Sequence, residues 1–178
     1  MFRSLFITML MTASIPAAAT SLPNQPVRTL DLARYAGQWH EIAHLPMSFQ
    51  RKCVDTITAT YTANPDGTIG VRNTCRTWDG TIDTANGVAK KAHGQPGALK
   101  LRFAADWLAW LPWVWADYWV IDLDADYRWA VVGGPSRKYL WILSRDPRMN
   151  PTLFQNLKER AQQRGYPVNK LVMAAPAD

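Results

Sequence analysis

The sequence predicts an all-β fold that carries one α-helix near its C-terminus. Apolar and polar residues alternate with a period of two along most of the chain from Trp39 onward, and this period indicates strands with one buried face. Turn signals separate these segments at short intervals, and one later segment has helical spacing instead. The pattern indicates a meander of about eight strands, which favours a β-barrel or a β-sandwich over an α/β fold.

Before the first strand, residues 1–19 have the pattern of a signal peptide. Arg3 supplies a positive charge, residues 5–15 are mostly apolar, and three alanines precede position 20. The apolar stretch is too short for a transmembrane helix, and a buried first helix is the alternative interpretation. No cysteine stands near the end of this leader, so a lipid anchor attached there is not expected.

Residues 20–178 are then one exported domain, which is long enough to form a sizeable core. The formal net charge falls by one, from +6 to +5, when Arg3 leaves with the leader. This charge favours acidic lipid head groups, but it is spread along the chain without a block of Lys and Arg. Nucleic-acid-binding proteins usually concentrate such charge, so no nucleic-acid partner is expected.

The alternation is clearest in two segments. Within residues 56–62 every second residue is threonine, and within residues 99–103 leucine and phenylalanine alternate with Lys100 and Arg102. Each segment is predicted to be a strand with one polar and one apolar face. The predicted turns lie at Asn64-Pro65-Asp66-Gly67, Asp79-Gly80, Asn86-Gly87, Gln95-Pro96-Gly97, Asp124-Ala125-Asp126 and Gly133-Gly134-Pro135.

Cys53 and Cys75 are the two cysteines of the chain, and in an exported protein they are expected to form one disulfide. They flank the hairpin that turns at residues 64–67. Simple pairing around this turn places Cys53 a few residues beyond the position opposite Cys75, so the disulfide requires a bulge or a strong twist. A metal site is not predicted, because two thiols and three scattered histidines lack usable ligand spacing.

One segment near the C-terminus has helical spacing. Asn150 is suited to cap a helix that begins at Pro151, and Gly165 and Pro167 are suited to end it. The apolar residues of this segment share one face: Leu153, Phe154, Leu157 and Ala161. This pattern predicts a single amphipathic helix packed on the outside of the barrel, followed by a short final strand over residues 168–173.

The first and the last long strand of the predicted sheet carry an indole and a cation. Gly37-Gln38-Trp39 opens the first strand, and residues 139–145 form a late strand that ends on an arginine. In a barrel both would lie at a closed base, where the Arg145 guanidinium can stack on the Trp39 indole. A small barrel that is plugged at one end is a container that opens at the other.

Three segments in this order resemble the lipocalin family, especially its bacterial outer-membrane group, which is also similar to plant temperature-induced lipocalins and apolipoprotein D. Residues 35–43 match the Gly-x-Trp strand of the family. Residues 117–123 lie near its Thr-Asp-Tyr block, with Ala116 where threonine is common, and Arg145 matches the partner of the first tryptophan. The resemblance covers roughly residues 30–173. It implies an eight-stranded antiparallel up-and-down barrel, the lipocalin calyx, with a C-terminal helix and a cup for small hydrophobic molecules.

Side-chain alternation selects the residues that face the inside of this barrel. If Trp39 points into the base, Ala43 shares its face, and Arg145 fixes the inward side of the last long strand in the same way. The predicted ligand-binding residues are Glu41, Tyr61, Asn73, Tyr139 and Trp141. The family pattern also places positions like Tyr61, Asn73 and Trp141 in the pocket. Ordinary core packing is the alternative for each of them.

Five tryptophans fall within thirteen residues, at Trp107, Trp110, Trp113, Trp115 and Trp119. The barrel topology places the first four in a loop near the open mouth. In one interpretation the indoles bury one another and close a rim. In the other they form a lip that touches a membrane, since tryptophan suits the interface between head groups and acyl chains. The two interpretations are compatible.

The sequence does not predict catalysis. Residues 133–136 lack the Gly-x-Ser-x-Gly elbow of hydrolases, and the alternating aspartates of residues 122–126 lack the glutamate of a calcium loop. No cofactor and no metal ion are expected. His40 and His44 are interpreted as surface residues, because a third ligand does not accompany them.

These observations predict an exported lipocalin that binds and stores or transports a fatty acid, a lysophospholipid or a similar amphiphile in the cell envelope. Its expected location is the periplasm, and peripheral association with the outer membrane without a lipid anchor is the second option. Two alternatives stay open. The first is a lipid-modifying enzyme that uses the same cup, and the second is a packed interaction module whose cavity is too small for an acyl chain.

Overall fold

The computed structural model describes residues 21–92 and 94–174 of the chain. The predicted signal peptide, residues 1–19, lies outside the described residues, and so do both ends of the proposed domain, at residue 20 and at residues 175–178. None of the helices in the described part of the chain has the length and apolar character that crossing a membrane requires.

Eight strands follow one another along the chain and form one antiparallel sheet, to which a ninth, two-residue strand is added. Each strand pairs with the next, and β1 pairs with both β2 and β8, which closes the barrel. The eight-stranded up-and-down barrel is therefore confirmed. The strands are β1 (Gly37–His44), β2 (Cys53–Ala63), β3 (Ile69–Thr77), β4 (Ile82–Lys91), β5 (Ala98–Arg102), β6 (Ala116–Leu123), β7 (Trp129–Gly133), β8 (Trp141–Ser144) and β9 (Val172–Met173).

Consecutive strands alternate in direction, so their connections lie in turn at the two ends of the barrel, which we call the mouth and the base. The β1–β2, β3–β4, β5–β6 and β7–β8 loops lie at the mouth, and the other connections lie at the base. A short helix that was not predicted from the sequence, α1 (Leu32–Tyr35), crosses the base. Asp31 caps it by accepting hydrogen bonds from the backbone N–H groups of Ala33 and Arg34 at 2.9 and 3.2 Å. This helix positions Tyr35, which is buried beneath the barrel.

Apolar side chains pack in two layers, one inside the barrel and one on its outer wall. The outer layer lies beneath the predicted helix, α2 (Pro151–Gln163), whose Leu157 and Ala161 are buried. Asn150 Oδ1 accepts hydrogen bonds from the backbone N–H groups of Thr152 and Leu153 at 2.9 and 3.2 Å. The predicted helix, its cap and its apolar stripe are therefore confirmed.

The predicted turn at Asn86-Gly87 is wrong, because both residues lie inside β4. Gly87 pairs with Val71 of the neighbouring strand. A Cβ atom at this glycine would lie 2.6 Å from the backbone oxygen of Arg102 and 2.8 Å from the ring of Phe103. The glycine therefore permits the close approach of β4 and β5 and does not reverse the chain.

The predicted final strand over residues 168–173 is wrong in its first part. Val168–Lys170 forms a 3₁₀ turn, and β9 contains only Val172–Met173. Val168 is buried in the outer layer, so the chain turns there to pack this side chain before it reaches the sheet. β9 then pairs with Ala43 and His44, on the half of β1 that β2 does not cover.

A β-bulge in β1 changes which of its side chains face the cup. The register against β8 shifts between Glu41 and Ala43, so that Ala43 lies opposite Ile142 and His44 lies opposite Trp141. Directly opposed residues of antiparallel strands share a face. Ala43 therefore shares the outer face with Ile142, and the prediction that it follows Glu41 into the cup is wrong. Strict alternation does not continue across the extra residue of a bulge.

The predicted disulfide between Cys53 and Cys75 is present, and the two Cα atoms are 5.5 Å apart. The irregular pairing that it requires is present as well. The register of β2 against β3 shifts on both sides of Asp55, and Thr56 adopts a positive φ of 52°. These shifts bring Cys53 opposite Thr77, which is two residues from Cys75.

Candidate functional site

The base of the barrel is closed by a guanidinium that lies over an indole. The Cζ atom of Arg145 is 3.9 Å from the centroid of the Trp39 ring, and Trp39 is fully buried. Trp39 Nε1 donates a hydrogen bond to the carbonyl of Tyr35 at 2.8 Å. The structure thus brings the two predicted residues together and ties them to α1. At 2.8–3.2 Å the guanidinium also donates to the carbonyl oxygens of Arg34, Ala36, Gln38 and Tyr127.

Above this base the barrel encloses a largely apolar cavity of about 540 Å³, which opens at the mouth. We call this cavity the cup. Its volume lies within the usual range of small-molecule sites, so the alternative of a packed interaction module is disfavoured. Four residues belong both to the inner layer and to the cavity wall, namely Tyr61, Tyr118, Val132 and Leu143.

All five predicted ligand-binding residues line the cup, namely Glu41, Tyr61, Asn73, Tyr139 and Trp141. The rings of Tyr139 and Trp141 are stacked with their centroids 6.1 Å apart. Phe49, from the β1–β2 loop, continues this row with its centroid 6.4 Å from that of Tyr139. An aromatic strip therefore runs up one wall to the mouth. Contact of these residues with a ligand stays a prediction.

Glu41 places a carboxylate in the wall of the cup, and two neighbouring side chains hold it. Gln50 Nε2 donates to both carboxylate oxygens at 2.7 Å, and His44 Nδ1 lies 2.6 Å from Oε1. The side chain of His44 is only 12 % exposed, so its interpretation as a surface residue is wrong. The bulge in β1 turns His44 to the inner face, where it reaches the glutamate.

A chain of three phenols connects the base with the floor of the cup. The hydroxyl oxygen of Tyr118 is 2.8 Å from that of Tyr35 and 2.7 Å from that of Tyr61. Burial raises the pKa of Tyr61 to about 12, and it raises the pKa of Tyr35 and of Tyr118 well above the usual value. All three phenols therefore stay protonated at neutral pH and can donate hydrogen bonds.

Asn73 is a second polar group low in the cup. It lies between Ala59 of β2 and Ala85 of β4, and both alanines line the cavity as well. The Oδ1 atom of Asn73 is buried and has no hydrogen-bond partner among the described residues. Because its two neighbours are small, a ligand group has room to approach this amide.

Charged side chains surround the upper part of the cup in pairs. Lys52 Nζ lies 2.6 Å from Asp83 Oδ2, and Lys100 Nζ lies 2.7 Å from Asp117 Oδ1. Lys52, Asp83 and Asp117 line the cavity together with Glu41. Asp83 and Asp117 are thus each balanced by a lysine, whereas among the described residues Glu41 contacts only Gln50 and His44. Within residues 21–92 and 94–174, no three His, Cys, Asp or Glu side chains come close enough together to hold a metal ion.

Large apolar side chains are exposed on the loops around the mouth. Trp107, Trp110 and Trp113 are 75 %, 77 % and 76 % exposed, so the interpretation in which the loop indoles bury one another is wrong for these three. Phe103 of the same loop is exposed as well, and the other mouth loops expose Phe49, Trp78 and Tyr139. We call these seven side chains the mouth surface.

Trp115, in contrast, is held against the outer wall of the barrel. Lys90 Nζ lies 4.0 Å and Arg102 Cζ lies 5.2 Å from the centroid of its ring, and its Nε1 donates to the carbonyl of Ala109 at 2.8 Å. The Arg102 side chain is buried, and its Nη2 atom bonds Asp106 at 2.6 Å. These contacts fasten both ends of the β5–β6 loop and leave its other three tryptophans in solvent.

Several residues of the cup were not predicted from the sequence. Tyr118 lies in the segment that carries the family resemblance, and alternation within β6 places it on the same face as Val120, which is buried in the inner layer. That alternation was a signal from which its inward position could be found. Phe49 and Gln50 lie in the β1–β2 loop, where periodicity gives no such signal.

A closed barrel with a plugged base, an open cup and one helix on its wall defines a calyx-type binding protein for small molecules. The chain belongs to the lipocalin family, since its residues 30–176 match the family model for the Lipocalin-like domain. Temperature-induced lipocalin-1 of Arabidopsis thaliana is 42% identical over 156 residues, which cover 85% of this chain and 82% of that protein. The resemblance found in the sequence is therefore confirmed.

Two further relatives extend this comparison. The outer membrane lipoprotein Blc of Citrobacter freundii is 36% identical over an alignment of 179 residues, which covers 96% of this chain and 96% of that protein. The structure of insecticyanin from the tobacco hornworm Manduca sexta matches 89% of this chain and 87% of its own chain, with a TM-score of 0.67 and 19% identity. At this low identity, the match to insecticyanin shows the fold.

Proposed function

We propose that this protein is an exported carrier that binds a fatty acid, a lysophospholipid or a similar amphiphile and stores or transports it in the cell envelope. Lipocalins are in general binding proteins for small hydrophobic molecules and not enzymes. The observation that carries the proposal is the cup itself, a cavity of about 540 Å³ with a largely apolar wall and a few polar side chains. Such a cavity suits one acyl chain whose head group stays near the mouth.

The energetics of chain burial are consistent with useful affinity. Removing about 12–16 methylene groups from water contributes roughly 10–13 kcal/mol, at about 0.8 kcal/mol for each group. Loss of freedom on association costs about 4–15 kcal/mol. The difference leaves room for micromolar or somewhat tighter binding. We propose that Tyr61 and Trp141 contact the chain, and that Glu41, Asn73 and Tyr139 contact polar parts of the ligand or the chain beside them.

The charges of the wall favour a head group that carries a positive charge. Lys52 balances Asp83 and Lys100 balances Asp117, but among the described residues no lysine or arginine pairs with Glu41. The carboxylate of a fatty acid would be repelled by Glu41, whereas the ammonium group of a zwitterionic lysophospholipid would be attracted to it. We therefore propose that a zwitterionic lysophospholipid binds more tightly than a fatty acid of the same chain length.

We further propose that the mouth surface touches a membrane. Tryptophan suits the interface between head groups and acyl chains, and three of these indoles are exposed on one loop. Exposed cations lie on two other mouth loops, namely Arg51, Lys52, Arg137 and Lys138, and such cations attract acidic head groups. This orientation would place the opening of the cup against the lipid surface, so that an amphiphile could enter without crossing water.

A location in the cell envelope is supported by two observations. Residues 1–19 have the pattern of a signal peptide, which would leave residues 20–178 as the exported domain. The Citrobacter freundii relative is by name an outer membrane lipoprotein. We propose a periplasmic protein that associates with the outer membrane through its mouth surface and without a lipid anchor.

Calorimetric titration with lysophosphatidylcholine and with a fatty acid of the same chain length tests the carrier function. We expect saturable binding of one molecule per protein, with the lysophospholipid the tighter ligand. Mass spectrometry of the native protein purified from its own host should detect retained lipid. Absence of saturable binding for both ligands would contradict the carrier function. Chemical conversion of the added lipid would instead indicate the lipid-modifying enzyme.

Vesicle sedimentation tests the membrane contact separately. We expect the protein to bind vesicles that contain phosphatidylglycerol, and the triple variant Trp107→Ser, Trp110→Ser, Trp113→Ser to lose most of this binding. The matched control is Val172→Ser with Met173→Ser, which removes two exposed apolar side chains of β9 outside the mouth surface. Equal sedimentation of both variants would show that the mouth surface does not make the contact.

A further inference from the structure

The lower part of the cup contains more hydrogen-bonding groups than a plain acyl chain can use. Tyr61, Asn73 and Tyr118 line the cavity low in the barrel, and we call these three side chains the polar floor. Val71 lies opposite Tyr61, and Asn73 is the next inward-facing residue of β3. The amide therefore lies one step, about 7 Å, above the level of that tyrosine along the strand.

The two phenols of the polar floor and Tyr35 beneath them have one hydrogen-bond donor that their own network does not use. Tyr35, Tyr61 and Tyr118 have three O–H groups, but only two contacts join their oxygen atoms. Among the described residues these hydroxyls have no other hydrogen-bond partner. Hydroxyl protons rotate, so the spare proton can reside on Tyr61 or Tyr118, which both line the cup. The floor therefore offers a donor to a bound molecule.

Asn73 offers the complementary acceptor. Its Oδ1 atom is buried and has no partner among the described residues, and rotation of the amide about χ2, past the small side chains of Ala59 and Ala85, turns this acceptor toward the cup. Water can pair with these groups in an empty cup. A saturated chain that displaces the water leaves the donor and the acceptor unpaired, and an unpaired buried polar group opposes binding.

We propose that the polar floor recognises an oxygen atom on the distal half of the bound chain, so that the protein selects oxygenated acyl chains over unsubstituted ones. This inference rests on the proposed carrier function and specifies the class of its ligand. A chain hydroxyl can donate to Asn73 and accept from a phenol of the floor. A chain ketone can only accept, and it therefore uses only part of the site.

Calorimetric titration with four fatty acids of equal length tests this selection. Relative to stearate, we expect 12-hydroxystearate to bind about five- to tenfold more tightly and 12-oxostearate about two- to threefold more tightly. The matched control ligand is 2-hydroxystearate, whose hydroxyl stays beside the head group near the mouth. Its dissociation constant should lie within about twofold of that of stearate.

Two variants show separately how much of the preference for oxygenated chains comes from the phenol donor and how much comes from the Asn73 acceptor. Asn73→Leu should reduce the affinity for 12-hydroxystearate to that for 12-oxostearate. The double variant Tyr61→Phe, Tyr118→Phe should abolish the advantage of 12-oxostearate over stearate. Asn86→Leu is the matched control, because Asn86 lies on the same sheet but outside the cup and is exposed. In each variant, the affinity for stearate shows whether the cup is still formed.

The outcomes separate this inference from the function on which it rests. If none of the four acids binds, the carrier function itself fails. If the four acids bind with equal affinity, the carrier function stands and the selection of oxygenated chains is wrong. The selection is also wrong if the preference for 12-hydroxystearate persists in both the Asn73 and the tyrosine variants. The comparison of ligands on the unaltered protein decides the matter even if a variant fails to fold.

Discussion

The base and the mouth of this barrel are built by the same eight strands, but tryptophan side chains are buried at the base and exposed at the mouth. At the base, Trp39 is 0 % exposed and lies beneath the guanidinium of Arg145. At the mouth, the three outward tryptophans of the β5–β6 loop are each about three-quarters exposed. An indole at the base fills space and receives a cation, whereas an indole at the mouth is available to a partner. From this difference we expect the base to supply stability and the mouth to supply binding.

The packing of the two ends supports this division. Arg145 connects α1, β1 and the β6–β7 turn through hydrogen bonds to their carbonyl groups. The corresponding mouth loops instead surround a cavity, and the seven side chains of the mouth surface remain exposed. Substitutions at the base should therefore change the free energy of unfolding, and substitutions at the mouth should change binding.

The largest expected effect is on stability and comes from removing the Cys53–Cys75 disulfide, which links β2 and β3 in the mouth half of the wall. Cys53→Ala with Cys75→Ala should lower the free energy of unfolding by about 3 kcal/mol, because the disulfide no longer restricts the unfolded chain. Denaturant unfolding of the native protein in reductant should give the same midpoint as the double variant without reductant. Two free thiols in the exported protein, found by peptide mapping, would contradict the prediction.

Arg145→Ala should lower the free energy of unfolding by about 2 kcal/mol, because it removes the contact with Trp39 and leaves backbone carbonyls unpaired. Arg145→Lys should restore only part of this loss, since an ammonium group cannot stack as a plane. Ligand affinity should change little in either variant.

The measurement is denaturant unfolding, and Arg128→Ala is the matched control for Arg145→Ala. Arg128 is an exposed arginine at the same end, paired with Asp124, and its loss should cost less than about 0.5 kcal/mol. Equal midpoints for the Arg145 variants and the native protein would mean that the base does not supply stability as described.

Trp141→Ala should weaken the binding of lysophosphatidylcholine several-fold, which corresponds to about 1 kcal/mol, because the indole lines the wall of the cup. Trp113→Ala removes an exposed indole from the mouth and should leave the calorimetric affinity for dissolved lipid unchanged. Equal affinities for both variants would remove Trp141 from the ligand site.

The smallest expected effect is on the stability of the mouth. The triple variant Trp107→Ser, Trp110→Ser, Trp113→Ser should change the free energy of unfolding by less than about 0.5 kcal/mol, since these side chains are exposed in the folded state. Circular dichroism during denaturation measures this change. A loss of more than about 1 kcal/mol would mean that the loop contributes to folding and would weaken the contrast between the two ends.

The base was predictable because its residues lie on regular strands with strong signals. Trp39 and Arg145 occupy the ends of two predicted strands, and closure of the barrel brings strand ends together whatever the intervening turns are. The helix was predictable for a similar reason, since Asn150 and Pro151 mark its start locally.

The cup was predictable only where alternation continued without interruption. Tyr61, Asn73 and Trp141 line it as expected, but the bulge after Glu41 exchanged the faces of Ala43 and His44. A bulge is defined by how two neighbouring strands pair, so the pattern of residues within one strand does not reveal where a bulge lies. The phenol network could not be predicted either, because Tyr118 meets its partners across the barrel.

The distance along the chain between Arg145 and its partners has a consequence for folding kinetics. The carbonyl groups of Arg34 and Gln38 belong to residues 111 and 107 positions earlier, so the base contact forms only after nearly the whole barrel chain has been brought together. We expect this contact to be absent from the transition state for folding. In stopped-flow measurements, Arg145→Ala should then accelerate unfolding and leave the refolding rate almost unchanged. The arginine would thus act as a latch, setting how long a folded molecule persists before it opens.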